Sequence, residues 1–116
     1  MSTMYETLNT IYAHAYEHMS AEDLCKVGMS LHDEAISMGR DMSTLLEGVA
    51  CLISSDNQIR ESGSGPSSGN FQTPSSIFQI LCLAASKFDL LAAMVEIGSD
   101  ASQQAEQRRK ISGGEA

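Results

Sequence analysis

Residues 21–53 read AEDLCKVGMSLHDEAISMGRDMSTLLEGVACLI, and this stretch decides the fold. Two apolar rows run through it, each with a seven-residue repeat. The row at heptad position d is Leu24, Leu31, Met38, Leu45 and Leu52, and the row at position a is Ala21, Gly28, Ala35, Met42 and Val49. Rows that alternate at spacings of three and four form one seam of a helix. The helix could bend or break at Gly39. The seven-residue repeat keeps its register through this position, which favours one helix over about 21–54.

The remaining heptad positions indicate how many neighbours this helix has. Position f is charged at every repeat, as Lys26, Asp33, Arg40 and Glu47. Positions b and e are partly apolar, so the apolar arc is wider than a two-stranded coiled coil requires. A helix that meets water along one line only is typical of a bundle. The small residues in the N-terminal half of position a predict that a neighbouring helix approaches closely there.

Two further helices flank the long one. A short first helix is predicted over about 3–18, with an apolar stripe made of Met4, Leu8, Ile11 and Ala15. Ser20 is suited to cap the long helix. Thr73 and Pro74 are a typical helix start, which predicts a last helix over about 74–98, with an extension to 110 left open. Its apolar seam is Ile77, Leu81, Ala84, Phe88, Leu91, Val95 and Gly98.

The connection between the two long helices constrains their direction. Residues 62–69 read SGSGPSSG, a composition typical of flexible coil, and a linker is predicted over about 55–73. A coil of this length spans roughly 24 Å, whereas a parallel return along the long helix needs about 50 Å. The prediction is therefore an all-α single domain over 1–111, an antiparallel helical hairpin with a short N-terminal helix, and a disordered tail at 112–116.

Two long helices cannot cover apolar surface on so many sides by packing on each other. Self-association resolves this, most simply as a homodimer whose core is a helical bundle. The predicted oligomer interface draws on the apolar seams of the long and the last helix. It comprises Leu24, Leu31, Ala35, Met38, Met42, Leu45, Val49, Leu52, Leu81, Phe88, Leu91 and Val95.

Charge limits the choice of partners. The formal net charge is −8, and Arg108, Arg109 and Lys110 supply three of the seven basic residues. The acidic remainder repels nucleic acid and anionic membrane surfaces, so direct binding to either is not expected. The apolar run from Ile77 to Ile97 contains Lys87 and Asp89, which favours a buried helix over a membrane span.

Cysteine usage and the N-terminus bear on location. Cys25, Cys51 and Cys82 are odd in number and match no zinc-site spacing, so they are expected to be reduced and packed as small hydrophobic residues. The first ten residues, MSTMYETLNT, lack the features of a signal peptide. Both observations favour a cytoplasmic protein.

Few residues suggest chemistry. His14 and His18 lie four apart on one helical face and form a weak candidate metal site, with His32 or Cys25 as a third ligand. Two exposed histidines are the simpler interpretation. His32 borders the predicted core, and a hydrogen-bonded packing role is expected for it. No catalytic, cofactor or phosphate-binding motif occurs, so no cofactor is predicted.

These observations predict a non-enzymatic protein–protein interaction module, a small acidic helical adaptor or regulator that acts as an oligomer. One alternative is a small acidic inhibitor of the kind that mobile elements direct at host defences, which would block a basic nucleic-acid-binding groove. A second alternative is a metal-binding helical protein that uses His14 and His18.

Overall fold

The computed structural model describes residues 4–62 and 73–113. Within these residues the chain is all-helical and contains no strand. Its elements are α1 (Met4–Ala15), a 3-10 turn (Tyr16–His18), α2 (Ala21–Ser62) and α3 (Pro74–Gly113). The all-α class predicted from the sequence is therefore confirmed.

Both long helices extend further than the sequence predicts. α2 continues past residue 54 to Ser62, and α3 runs through Gly98 to Gly113. The predicted stop rested on the polar segment 54–57, but Asp56 continues heptad position a and is only 1% exposed. Residues 112 and 113 of the predicted tail belong to α3. The predicted start at residue 3, the linker residues 63–72 and the tail residues 114–116 lie outside the described residues.

Both predicted N-terminal caps are confirmed. The backbone N–H of Asp23 donates to Ser20 Oγ at 3.1 Å, which satisfies one donor in the first turn of α2. The backbone N–H of Ser76 donates to Thr73 Oγ1 at 3.1 Å in the same way at the start of α3. Short-range sequence signals therefore mark the beginnings of these two helices correctly.

The chain divides into two compact units. Unit 1 comprises Met1–Gly39 and Phe88–Ala116, and unit 2 comprises Arg40–Lys87. Within unit 1 the segments of α2 and α3 are antiparallel. Leu24 packs in one cluster with Ala101 and Ala105, and one turn further along α2 the backbone of Gly28 lies against Ser102 and Gly98. The hairpin direction predicted from the linker is thus observed in this unit.

Small residues bring the two helices of unit 1 together. A Cβ atom placed on Gly28 would lie 2.2 Å from Ser102 Oγ and 3.1 Å from the carbonyl oxygen of Gly98. A Cβ placed on Gly98 would lie 3.2 Å from Leu31 Cβ. Ser102 Oγ can rotate away, but two backbone atoms of α3 at 3.1 Å leave little room for a side chain at Gly28. The close approach predicted from the small residues of position a is therefore confirmed.

α1 packs beside α3 in unit 1 and runs in the same direction. The backbone N–H of Tyr5 donates to Asp89 Oδ2 at 3.1 Å, and Tyr12 Oη donates to Asp100 Oδ2 at 2.6 Å. The predicted stripe is only partly correct, because its members Met4 and Ile11 are exposed. The side of α1 that carries Tyr5 and Tyr12 faces α3 instead, since the backbone of Tyr5 and the hydroxyl of Tyr12 reach carboxylates of α3.

The covered face of α2 changes along its length. Leu24 is fully buried, whereas Leu45 and Leu52 of the same row are 53% and 58% exposed. Beyond Gly39, Leu46 and Ile53 at position e are half-buried, and position a stays covered at Met42, Val49 and Asp56. A row with a seven-residue repeat drifts by about 20° per heptad around a helix of 3.6 residues per turn, so position e replaces position d beside position a. The predicted seam is therefore correct for position a and wrong for position d beyond Gly39.

Few of the described side chains of unit 2 are buried. Among its described residues, Met42 and Asp56 are the buried ones. Large apolar side chains remain exposed on both of its helical segments, namely Leu45, Leu52, Phe78, Leu81 and Leu83. Unit 2 therefore presents apolar side chains that the described part of the chain does not cover.

Candidate docking site

An open groove of about 720 Å³ lies between the segments of α2 and α3 that belong to unit 1. Its floor includes Gly28, Ala35 and Gly98, of which Ala35 is buried and both glycines lie at the close helix crossing. Because these residues have little or no side chain, the floor consists largely of backbone and Cβ atoms. The same small residues that bring the helices together therefore leave space above the crossing.

The rim of the groove is apolar and exposed. Met29 and Ile36 line it on α2, with exposed fractions of 63% and 44%, and Val95 lines it on α3 with 52%. Leu91, which is half-buried, continues the α3 wall. The signal for this rim was present in the sequence, because Met29 and Ile36 occupy heptad position b and widen the apolar arc. What the sequence did not show is that they flank an open groove.

Polar side chains occupy the edges of the groove. His32 and Asp33 line it on α2, and Ser99 and Ser102 line it on α3. The expected packing role of His32 is wrong, because this side chain is exposed. The α3 residue near its backbone is Gly98, which has no side chain with which to cover the imidazole. His32 is therefore available to a ligand in the groove.

The helical segments that form the groove are acidic. Residues 28–36 and 91–102, which contain the lining residues of the groove, have no lysine or arginine but include Asp33, Glu34, Glu96 and Asp100. Asp33 lies in the groove itself. Carboxylates concentrated on neighbouring helical segments produce a negative potential that extends over about 10 Å at moderate salt.

Tyrosines of α1 bind two of these carboxylates without neutralising them. The pKa of Tyr12 is raised from its ordinary value by burial and by the hydrogen bond that its hydroxyl donates to Asp100. A hydrogen bond to Glu96 likewise raises the pKa of Tyr5. A phenol with a raised pKa remains neutral at pH 7. Asp100 and Glu96 therefore keep partners that carry no compensating charge.

Arg108 links α3 to the segment that follows α1, at the end of unit 1 opposite to Tyr5. Its guanidinium donates to the backbone oxygens of Met19 and of Tyr16, the latter at 2.9 Å. The ring of Tyr16 stacks on that of Tyr12 with centroids 5.6 Å apart. The sequence analysis treated Arg108 only as one of three basic residues, because spacing does not show which carbonyl groups a long side chain reaches.

The candidate metal ligands gain no third partner in the described part of the chain. His14 on α1 and His18 in the 3-10 turn are both exposed. Among the described residues, no group of three or more His, Cys, Asp and Glu side chains is arranged to hold a metal ion. The histidines thus remain a pair on the surface of unit 1, and neither lines the groove.

The cysteines are free thiols but are not all packed. Cys25 is half-buried, and its Sγ lies 3.9 Å from Met29 Sδ. Cys51 and Cys82 are exposed. The expectation that each thiol acts as a small packed hydrophobic residue is therefore wrong for these two, which belong to the poorly covered unit 2.

The twelve residues of the predicted oligomer interface fall into three groups. Leu24, Ala35 and Met42 are buried within the single chain, so they are not available to a second copy. Four are half-buried, namely Leu31, Met38, Val49 and Leu91. Five are exposed and remain candidates for the interface, namely Leu45, Leu52, Leu81, Phe88 and Val95.

No family model, curated protein or solved structure matches this chain. Among the described helices, none combines the length and apolar character that crossing a membrane requires.

Proposed function

We propose that the protein is a non-enzymatic protein–protein interaction module that acts as an oligomer and self-associates through unit 2. The observation that carries this proposal is the set of five large apolar side chains that unit 2 leaves exposed. Several large apolar side chains left exposed in one small unit are uncommon on a protein that acts alone, and they are typical of interaction sites.

The exposed residues of unit 2 follow helical stripes. On the α3 segment, Phe78, Leu81 and Ala85 have spacings of three and four, and all three are exposed. On the α2 segment, Leu45 and Leu52 are seven residues apart. Stripes with these spacings pack against stripes of the same kind in helical bundles. A second copy of unit 2 offers them.

The exposed stripes supply part of the surface that a dimer needs. A standard interface buries about 800 Å² per partner. Leu45, Leu52, Phe78 and Leu81 are each more than half exposed, so together with smaller neighbours such as Ala85 they provide on the order of half of that area.

Sedimentation velocity over a wide concentration range tests the proposal. The wild-type protein is expected to form dimers, and the double variant Leu52→Ser/Leu81→Ser is expected to sediment as a monomer with an unchanged helical circular dichroism spectrum. The matched control is Met4→Ser/Ile111→Ser, which removes two exposed apolar residues of unit 1 and should leave the dimer intact. A wild-type protein that is monomeric at every concentration would refute self-association.

A second candidate function is favoured by the acidic residues of unit 1. An acidic inhibitor that occupies a basic nucleic-acid-binding groove would bind through charge. Capture of partners from a lysate at low and at high salt separates the two functions, because screening removes charge-driven binding and leaves apolar binding largely intact. Recovery of nucleic-acid-binding proteins at low salt only would favour the inhibitor.

A further inference from the structure

We propose that the groove of unit 1 receives an amphipathic helix of another protein, and that the polar flank of this helix carries lysine or arginine residues. The proposal deepens the function proposed above and rests on it in one respect, namely that the protein acts by binding other proteins. It does not require the dimer, because the groove and the apolar stripes of unit 2 belong to different units.

The groove has the form that helix recognition uses. Apolar residues flank it on both sides, with Met29 and Ile36 on one wall and Val95 on the other. Met29 and Ile36 are two helical turns apart and match apolar anchors at positions i and i+7 of a bound helix. Gly28 and Gly98 at the floor are buried at the helix crossing and have no side chains that project into the groove. Methionine at the rim adapts to the shape of an incoming side chain.

Charge selects the partner. The lining residues of the groove lie in segments 28–36 and 91–102, which contain Asp33, Glu34, Glu96 and Asp100 but no lysine or arginine. Asp33 is the acidic residue that lines the groove itself. Glu96 and Asp100 face α1, where neutral phenols hydrogen-bond to them and leave their charge in place, so they contribute to the potential around unit 1. A helix with cationic flanks gains from this potential, and a helix with anionic flanks is repelled.

The same argument disfavours a second copy of this chain as the occupant. Two copies that pair groove to groove would bring the Asp33 of one groove, and the acidic segments around it, towards those of the other. The full chain carries a formal charge of −8, so every approach of two copies is opposed at low salt. Unit 2 can overcome this opposition with its larger apolar surface, whereas the groove has fewer exposed apolar residues with which to do so.

A designed peptide tests the proposal directly. The probe is an amphipathic helix of about 18 residues with leucines at i, i+3, i+4 and i+7, lysines on the flanks, and one tryptophan on the apolar face. This protein contains no tryptophan, so tryptophan emission reports on the peptide alone. Binding in the groove is expected to shift that emission to shorter wavelength and to saturate with increasing protein concentration.

Variants of the rim locate the binding site. Met29→Gln and Val95→Gln are each expected to weaken peptide binding about tenfold, because each removes an apolar contact without disturbing a buried residue. Met4→Gln and Ile111→Gln are the matched controls, since both residues are at least half exposed and neither lines the groove. They should bind the peptide as the wild type does. Equal affinity for the rim variants and the controls would overturn the proposal.

A second pair of measurements tests the charge requirement. A peptide with glutamate in place of every lysine is expected to bind at least tenfold more weakly. Raising the salt from about 0.1 M to about 1 M shortens the screening length from about 10 Å to about 3 Å, and the advantage of the lysine peptide should then disappear. If the glutamate peptide binds as well as the lysine peptide at low salt, the cationic partner is excluded.

Sedimentation and peptide binding of the same variants separate helix binding in the groove from self-association through unit 2. Sedimentation of Met29→Gln and Val95→Gln should match that of the wild type, and the unit 2 double variant Leu52→Ser/Leu81→Ser should bind the lysine peptide normally. Loss of the dimer in the rim variants would show that a second copy occupies the groove and would overturn the proposal. A wild-type monomer that binds the peptide would refute only the self-association proposed above.

Discussion

Unit 1 and unit 2 are built from segments of the same two long helices, but they cover their apolar residues to very different degrees. Unit 1 buries Leu24 completely against Ala101 and Ala105 and adds α1 as a third helix. Among the described residues of unit 2, Met42 is the one apolar side chain that is buried. The difference shows that a similar apolar content produces a closed core in one place and an exposed surface in another.

The size of the side chains explains part of the difference. Unit 1 has glycine or alanine at Gly28, Ala35, Gly98 and Ala101, where the helices meet, so the backbones approach and the few large residues are enclosed. The apolar stripes of unit 2 contain Leu45, Leu52, Phe78 and Leu81, which remain at least half exposed. Large side chains at a contact hold helix axes further apart, and their outer faces then need a further partner.

The largest expected effect comes from a leucine of the same heptad row in each unit. Leu24→Ala should lower the free energy of unfolding by about 3 kcal/mol, because it leaves a cavity in the closed core. Leu52→Ala should cost less than about 1 kcal/mol, since this side chain is 58% exposed. Urea unfolding of dilute protein measures both values. Similar losses of stability in the two variants would mean that Leu24 and Leu52 are equally well covered, and that the two units do not differ in this respect.

A glycine in each unit provides a second test. Gly28→Val should destabilise by about 2 kcal/mol, because the new Cβ would lie 2.2 Å from Ser102 Oγ and close to backbone atoms of α3. Gly48→Val meets no atom within 4 Å and should stabilise by a few tenths of a kcal/mol through helix propensity. The same unfolding experiment separates them. A neutral Gly28→Val would disprove the close crossing in unit 1.

The hydrogen bonds that Arg108 donates in unit 1 give a smaller effect. Arg108→Gln removes a charged donor from the backbone oxygens of Met19 and Tyr16 and should cost about 1.5 kcal/mol. The exposed neighbour Arg109 supplies the control, and Arg109→Gln should change stability by less than about 0.5 kcal/mol. Hydrogen exchange at the amides of residues 16–20 should increase in the first variant only. Unchanged hydrogen exchange at these amides would contradict the hydrogen bonds assigned to Arg108.

The smallest effect concerns Tyr12. Tyr12→Phe should lower stability at pH 7 by about 1 kcal/mol through loss of the hydrogen bond to Asp100. The pKa of Tyr12 is raised above its ordinary value of 10.0, so its stabilisation is complete below pH 10 and decreases as the pH rises further. Between about pH 8 and pH 11 the free energy of unfolding should therefore decrease less with rising pH in the variant than in the wild type. Parallel curves would contradict this assignment.

Local signals in the sequence were reliable. The sequence predicts the caps at Ser20 and Thr73 and a close approach of a neighbouring helix along the N-terminal half of position a. Each depends on chemistry within a few residues, such as a side-chain oxygen next to free N–H groups or the absence of a Cβ atom. The antiparallel arrangement observed in unit 1 followed from the limited reach of the linker.

Predictions that depended on the neighbouring helix were less successful. Periodicity placed Met4 and Ile11 on the covered face of α1 and His32 at the edge of the core, and all three are exposed. The polar segment 54–57 led to a predicted end of α2 before Asp56, which is buried within a longer helix. A pattern on one helix shows which residues are apolar, but not which neighbouring helix covers them.

The sequence by itself determined that this chain is helical, where two of its helices begin and where two of them approach most closely, because these properties depend on short-range geometry and on side-chain size. Only the tertiary structure decided which side of each helix is covered, that an acidic groove with an apolar rim opens beside the glycine crossing, and that apolar stripes remain exposed in unit 2. These features depend on the position and the side chains of every neighbouring helix, which no single periodic pattern contains.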